Sequence, residues 1–575
     1  MSDTGLQSRK FIYSNLGFHK IRLLHLLSGD WNDEICCVVF EADLQHQNIE
    51  YEAVSYTWGD PARPNNSVRV INSPDGKVPR TTGNVMEVSE GTFEALRRLR
   101  PGKDQVPRTL WMDAICINQD NVHERNSQVL RMKDIFSGAR RVVAYVGESA
   151  DDSSVLFEAM EASQKSHVAT LDGPGVSEVP VGNPMRRCLE NFLRRRWFSR
   201  IWAKEIILIC GDSHTSWEAF QAAVRARYPE HAIAGPLPAV LLPKDWVAWG
   251  VLQALQTTRM CDATDDRDKI YGVAALLHLG QALMGSQRAS AVDANRTLMA
   301  ERQRLAERTE YIPSVDYNKS RGSIFFELAD AQLSSPSTQT RLDLFSYVQS
   351  EPGTPSWVPD WTVHSGQSVI AFDAPNGGYW KTLYFAGGHC EDRLLLKHGS
   401  RLRDGRWFIT VEVIVLYTVQ EVARVYMYHG QGPRMSRESG LRSWDHMISS
   451  ASNHGSLVPG DTFLEELGLA PRDYGIRMSI NRRLMLLSNH SYALGPAEAQ
   501  VNDTVCVMIG AAVPFVIRGG TGKEGSAVLV GECWVKDVMQ GEAIRQKDYE
   551  SCDKSFTVSE EFERRGHRVE RLDLF

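Results

Sequence analysis

No stretch of this chain is apolar for long enough to cross a bilayer as a helix, which takes roughly 18 or more consecutive residues. The nearest candidate, 408–419, is broken by Glu412 and reads better as a long β-strand. The opening residues, Met1-Ser2-Asp3-Thr4-Gly5-Leu6-Gln7-Ser8, are polar and contain no apolar signal region. The 10 cysteines include no CxxC pair and no Cys/His grouping with metal spacing. No metal site is therefore expected, and the thiols read as reduced, in a cytosolic setting. Positive charge is not in excess: 64 Lys+Arg stand against 71 Asp+Glu, for a net −7. That balance excludes the basic face expected of a general nucleic-acid binder. Familiar catalytic signatures are missing as well. There is no Gly-x-Ser-x-Gly elbow, and His123-Glu124 lacks the second His of a zinc helix. Gly519-Gly520-Thr521-Gly522-Lys523-Glu524 imitates a phosphate loop, but Ile517 stands where the first Gly is required and Glu524 replaces Ser/Thr. Between two apolar runs it reads as a hairpin turn.

What is present is an ordinary supply of material for burial. At 575 residues, with 42% hydrophobic and 23% charged side chains, the chain exceeds one core. Roughly two to four domains follow, in a soluble cytoplasmic protein. Residues 21–27 and 35–40 read as strands around the turn Ser28-Gly29-Asp30, and 51–56 as a third strand ending at Trp58-Gly59-Asp60-Pro61. Residues 89–100 read as a helix, with Ser89 as cap, Phe93, Leu96 and Leu99 as its apolar stripe, and Pro101-Gly102 as its stop. Residues 164–183 read as an exposed loop, and 186–209 as a helix followed by an apolar segment. Helical patterns then dominate at 246–256, 267–279, 290–308 and 323–332. Strands take over at 394–397, 407–416, 484–487, 504–509, 513–517 and 527–535, and the charged tail past Gly541 is expected to fray, with at most one helix. The expected division is 1–220, an α/β unit; 221–335, mostly helical; and 336–575, β-rich.

Chemistry concentrates in Leu110-Trp111-Met112-Asp113-Ala114-Ile115-Cys116-Ile117-Asn118-Gln119. A short apolar strand ends in a lone carboxylate, followed by Asn118, Gln119 and Asp120, which most simply cap the next helix. Val122, Val129, Met132, Ile135 and Phe136 recur at helical spacing, and 141–147 reads as a second buried strand. Strand, helix and strand make a βαβ unit, hence a parallel sheet with a right-handed crossover. Ligands of such sheets lie beyond the carboxyl ends of the strands, where Asp113, Asn118 and Gln119 would sit. Asp113 needs partners, since an unpaired buried charge is costly. Ribose hydroxyls, the amides at the helix start, or an arginine would each serve.

Three blocks carry a family resemblance. Tyr51-Glu52-Ala53-Val54-Ser55-Tyr56-Thr57-Trp58-Gly59-Asp60, Trp111-Met112-Asp113-Ala114-Ile115-Cys116-Ile117-Asn118-Gln119 and Arg196-Trp197-Phe198-Ser199-Arg200-Ile201-Trp202 resemble, in order, the signature blocks of the fungal heterokaryon-incompatibility (HET) domain. Segments at 262–272, 355–361 and 529–535 resemble later stretches of the same long proteins. The resemblance implies a TIR-like, flavodoxin-like parallel sheet in the first unit. It also implies an effector in fungal self/non-self recognition and cell-death signalling, with NAD as substrate through hydrolysis of the nicotinamide–ribose bond. No cofactor is required. Its partners would be further copies of itself or another incompatibility protein.

Within that frame Glu205 is the candidate catalytic carboxylate, placed to stabilise an oxocarbenium-like ribosyl cation. Here the chain departs from the family, reading Trp202-Ala203-Lys204-Glu205, one residue short and without Gln before the Glu. One deleted residue turns the rest of a helix by about 100°. The alternative for Glu205 is a solvated helix carboxylate. Glu52, Ser55 and Trp58 would wall a nucleotide pocket, or else Glu52 ends a strand and Trp58 covers the core. Arg196 and Arg200, with Arg194 and Arg195, would hold a diphosphate or pair with carboxylates such as Asp113. Two other functions stay open: a non-catalytic adaptor or degenerate binding protein, and an accessory enzyme of a fungal biosynthetic pathway.

Overall fold

The computed structural model describes residues 9–17, 19–44, 49–59, 66–71, 83–165, 184–193, 195, 197, 206–220, 251–259, 261, 263, 265–274, 313–334, 342–348, 354–363, 372–373, 381–382, 400–425, 481–519, 525–536, 538–539, 542–544 and 569–575. The expected elements at 290–308 and 394–397 lie outside these residues, as does nearly all of the loop expected at 164–183.

The first unit is built on one nine-stranded sheet. Its elements are β1 (Lys20–Leu26), β2 (Cys36–Asp43), β3 (Glu52–Ser55), β4 (Asn66–Val70), β5 (Asn84–Val88), α1 (Glu90–Leu99), β6 (Arg108–Trp111), α2 (Asp113–Cys116), α3 (Val122–Gly138), β7 (Arg141–Tyr145), α4 (Ser153–Lys165), α5 (Pro184–Leu193), β8 (Ile206–Cys210) and β9 (Ser213–Ser216). Across the sheet the order is β5-β4-β2-β1-β6-β3-β7-β8-β9. The middle is parallel: β3 pairs in parallel with β6 and with β7, and β7 with β8. β1 runs antiparallel to β6 and to β2, β5 to β4 and β9 to β8, while β2 and β4 are parallel. The expected parallel sheet is therefore a mixed one, with a parallel centre and largely antiparallel flanks. Among the four central strands, the second in the chain lies beside the first, and the third lies on the first strand's other side. Connections thus leave β3 and β7 toward opposite sides, the switch point beside which open α/β sheets commonly bind ligands.

Alternation in the strands decides which helix covers which face. Ala53, Val142, Ala144 and Leu208 gather with Leu156, Phe157 and Met160 of α4 and Leu189 and Phe192 of α5. Their strand neighbours Val54, Val143 and Tyr145 join Leu96 and Leu99 of α1 and Met132 and Ile135 of α3. α1 begins at Ser89, whose Oγ accepts from Thr92 N at 3.4 Å, and carries Glu90 in its first turn and Arg97 and Arg98 in its last, as the helix dipole favours. The cap of α3 is a correction to the sequence reading. Asn121 accepts from the amides of His123 and Glu124, whereas Asn118 and Gln119 serve the preceding loop. An Asx cap must sit one residue before the first helical turn, and Asn118 lies too far back.

The second unit forms around β12 (Arg401–Arg403), β13 (Arg406–Val422), β14 (Arg482–Leu487), β15 (Tyr492–Pro496), β16 (Thr504–Met508), β17 (Phe515–Gly519), β18 (Gly525–Glu532), β19 (Trp534–Val535) and β20 (Val569–Leu574), after a small pair, β10 (Phe372–Asp373) and β11 (Lys381–Thr382). β13 pairs with both β16 and β20, so β13, β16, β17, β18 and β20 close a ring. The two strands flanking residues 520–524, β17 and β18, pair antiparallel, as the hairpin reading expects. The tail expected to fray instead supplies β20, with Leu572 and Leu574 fully buried between β13 and β18. Its charges hid a period-two pattern in which every second residue faces inward. α6 (Val251–Thr258), α7 (Arg321–Ser334) and Trp357 and Trp361 share one core with this ring. Among the described residues no helix is long and apolar enough to cross a membrane, and all eight described cysteines are free and buried.

Candidate functional site: the carboxyl edge of the parallel strands

Four loops leave the carboxyl ends of the central strands: Tyr56–Gly59 after β3, Met112–Gln119 after β6, Val146–Asp152 after β7 and Gly211-Asp212 after β8. The first two are tied to each other. Trp58 Nε1 donates to Asp113 Oδ1 at 3.0 Å, and Asp113 Oδ1 also accepts from Ala114 N at 2.9 Å. Asp113 thus finds an indole and a helix-start amide as partners. Gln119 Nε2 donates to the Asp113 carbonyl at 2.9 Å, while Asn118 N donates to Glu124 Oε1 at 2.7 Å. Glu124 itself pairs with the buried Arg22 of β1, whose Nη2 lies 3.1 Å from Oε2. The loop holding Asp113 is therefore fastened at both ends to buried groups.

α1 runs along this edge. Gly91 N donates to the Trp58 carbonyl at 3.2 Å, and a Cβ at Gly91 would overlap the Thr57 carbonyl oxygen. Glu90, Glu94 and Arg98 are four residues apart and so share one helix face. Arg98 Nε donates to Glu148 Oε1 at 3.1 Å, and the same guanidinium pairs with Asp212, joining the loops after β7 and β8. Tyr145 Oη donates to Glu148 Oε1 at 2.8 Å. Burial pushes the Glu148 carboxyl up, but the hydrogen bonds from Arg98 and Tyr145 outweigh it and hold the group below the usual carboxylate range. Glu94 moves the other way: burial, reinforced by Glu90, raises it. Opposite displacements of two neighbouring carboxyls are a common mark of a binding or catalytic edge. The exposed Trp31 ring lies 4.5 Å from the Arg97 guanidinium carbon and 4.6 Å from that of Arg98.

The other predicted residues are placed as follows. Ser55 ends β3, buried, and accepts from Trp197 Nε1 at 3.1 Å, which ties the first block to the third. Glu52 begins β3 and lies at the opposite, amino edge. It accepts from Arg108 Nε at 2.7 Å and pairs with Arg141, the first residues of β6 and β7. The structure brings together Trp58, Asp113 and Gln119 and separates Glu52 from them. Arg196, Arg200 and Glu205 lie outside the described residues. Arg195, of the same basic cluster, donates to the carbonyls of Val146, Glu148 and Ala150, so its guanidinium fixes the loop after β7. In that loop Asp151 and Asp152 hold left-handed backbone (φ 52° and 58°), a strained pair for non-glycine residues. Sequence reasoning missed Glu94, Arg98 and Glu148. The i, i+4, i+8 spacing of Glu90, Glu94 and Arg98 was the available signal.

A mixed α/β sheet with a loop-rich carboxyl edge, followed by a closed β ring, defines a two-part protein. Residues 51–205 match the family model described as Heterokaryon incompatibility protein (HET), and residues 470–552 match the Het-6 beta-barrel domain. The chain is similar to "Heterokaryon incompatibility protein 6, OR allele" of Neurospora crassa, 27% identical over 225 residues, covering 34% of this chain and 32% of that protein. The chain thus matches about a third of the length of this curated relative. The similarity to heterokaryon-incompatibility proteins thus lies in two segments, one in each unit. No solved structure matches it. β1, β2, β8 and β9 lie outside the matched HET segment yet belong to its sheet, and β13 and β20 close the ring from outside the matched barrel segment.

Proposed function

We propose that this chain is an effector of fungal vegetative incompatibility, and that the carboxyl edge around Trp58, Asp113, Glu94 and Glu148 is its nucleotide-binding face, with NAD as substrate. The single observation that carries this reading is the strand order, which makes β3 and β7 the switch point at which such sheets bind ligands, with Trp58, Asp113 and Glu148 in the loops at their carboxyl edge. The reaction suits such an edge. The bond between ribose C1 and the pyridinium nitrogen breaks, its electron pair leaves with neutral nicotinamide, water oxygen bonds to C1, and one proton passes to solvent. No general acid is needed, and a carboxylate, Glu205 in this reading, stabilises the ribosyl cation. A TIR-like ancestry of the first unit, a cytoplasmic setting and work as an assembly of copies belong to the same proposal.

The test is incubation of the purified full chain with NAD while nicotinamide release is followed, with Glu205→Gln as control. Turnover abolished by the substitution supports the proposal. Absence of turnover, in assembled as well as dilute protein, leaves a non-catalytic adaptor. One observation favours that second reading: Asp113 and Glu148 are already partnered by Trp58, Arg98 and Tyr145.

A further inference from the structure

The outer side of α3 is gripped by a segment far along the chain. The ring of Tyr317 lies 4.2 Å from the guanidinium carbon of Arg125 on α3 and 5.1 Å from that of Arg267. Its amide donates to Asn126 Oδ1 at 3.1 Å, and its hydroxyl donates to Asp268. The grip is anchored behind: Tyr271 Oη donates to the Asp316 carbonyl and accepts from the Asp316 amide, both at 3.0 Å, and Arg267 Nη1 donates to the carbonyls of Tyr317 and Lys319. Val122 and Val129 of α3 pack on the core of the second unit. Arg125 Nε is buried without a hydrogen-bond partner, so the contact is incompletely satisfied where it crosses between units.

We propose that the 313–319 segment is a regulatory strap which sets the position of the Asp113 loop through the first turn of α3. Glu124, next to Arg125 in the chain, holds Asn118 N and Arg22, and the loop from Asn118 back to Asp113 is closed by Gln119. Displacing Tyr317 frees Arg125 and Asn126, loosens the first turn of α3 and lets the Asp113 loop open. Whatever displaces the strap from the second unit would then act on the carboxyl edge. This consequence rests on the nucleotide-binding reading of that edge, while the mechanical link stands without it.

The experiment is hydrogen exchange on the full chain, comparing Tyr317→Ala and Asn126→Ala with the unaltered protein. Both variants are expected to speed exchange at the amides of Asn118, His123 and Glu124 by about tenfold, a local opening, while amides of β3 and β7 keep their protection. Unchanged rates at 118–124 in either folded variant, or equal loss at β3 and β7 in both, overturn the strap. Nicotinamide release plays no part in this readout, so failure of the strap and failure of the NAD reading are told apart.

Discussion

Trp58 donates its indole N–H to Asp113 at 3.0 Å, and so joins the loops that follow two adjacent parallel strands. Trp58→Phe keeps most of the ring and removes the donor. A hydrogen bond to a charged group contributes about 1.5–3 kcal/mol when buried, so about 1–2 kcal/mol is expected at this half-buried position. Denaturant titration reads that loss, and NAD affinity should fall with it if the edge binds nucleotide.

Gly91 is required by contact. A side chain there meets the Thr57 carbonyl, a backbone atom that cannot swing aside. Gly91→Ala should cost about 1–3 kcal/mol or more through overpacking and shift α1 away from Trp58. Circular dichroism melts and Trp fluorescence check both effects.

Glu52 sits between Arg108 and Arg141 at the amino edge. Glu52→Gln leaves two arginines facing a neutral amide, a loss of about 1–3 kcal/mol, without touching the carboxyl edge. The expected pattern is a lowered midpoint of unfolding with unchanged NAD affinity. A matching fall in affinity would show that the two edges are not independent.

The displaced carboxyls predict opposite pH effects. Glu148 lies below its ordinary value when folded, so its contribution is present above the unfolded carboxylate range and is lost as pH falls through the folded value. Glu94 lies above its ordinary value, so it favours the fold below the unfolded range and ceases to as pH rises through the folded value. Glu94→Gln should therefore raise the melting temperature at pH 7 and leave it little changed near pH 4. Arg98→Met should lower it at pH 7 and have less effect in acid.

Leu572 of β20 is fully buried in the ring. Leu572→Ala should cost about 2–5 kcal/mol, with the loss confined to the second unit, which proteolysis monitored by mass would localise.

Local grammar made part of this legible in the sequence. Two strands around Ser28–Asp30, a helix capped by Ser89, the unit from β6 to β7 and the hairpin of β17 and β18 all carry their own periodicity and stop signals. β4, β5, β9 and β15 were not read, since their short runs bury residues only through partners far along the chain. Within the site, Asp113 and Trp58 stood out as residues, but their bond spans 55 positions and no spacing rule reaches that far. Glu52 looked like a neighbour of Trp58 by sequence; the length of one strand put it at the other edge. Glu148 was hidden because its meaning comes from Arg98, 50 positions away on a helix read only for its buried stripe.

Among the described residues the ring closes through β20, at residues 569–574. On the ribosome the nine-stranded sheet can be complete once residue 216 has emerged, whereas β13 must wait for a mate made on the order of ten seconds or more later at ordinary elongation rates. During that interval the nascent chain carries a folded amino-terminal sheet beside an open β edge prone to wrong pairing. The 313–319 segment is also made after the sheet, so newly synthesised molecules pass through a period in which α3 has nothing across it.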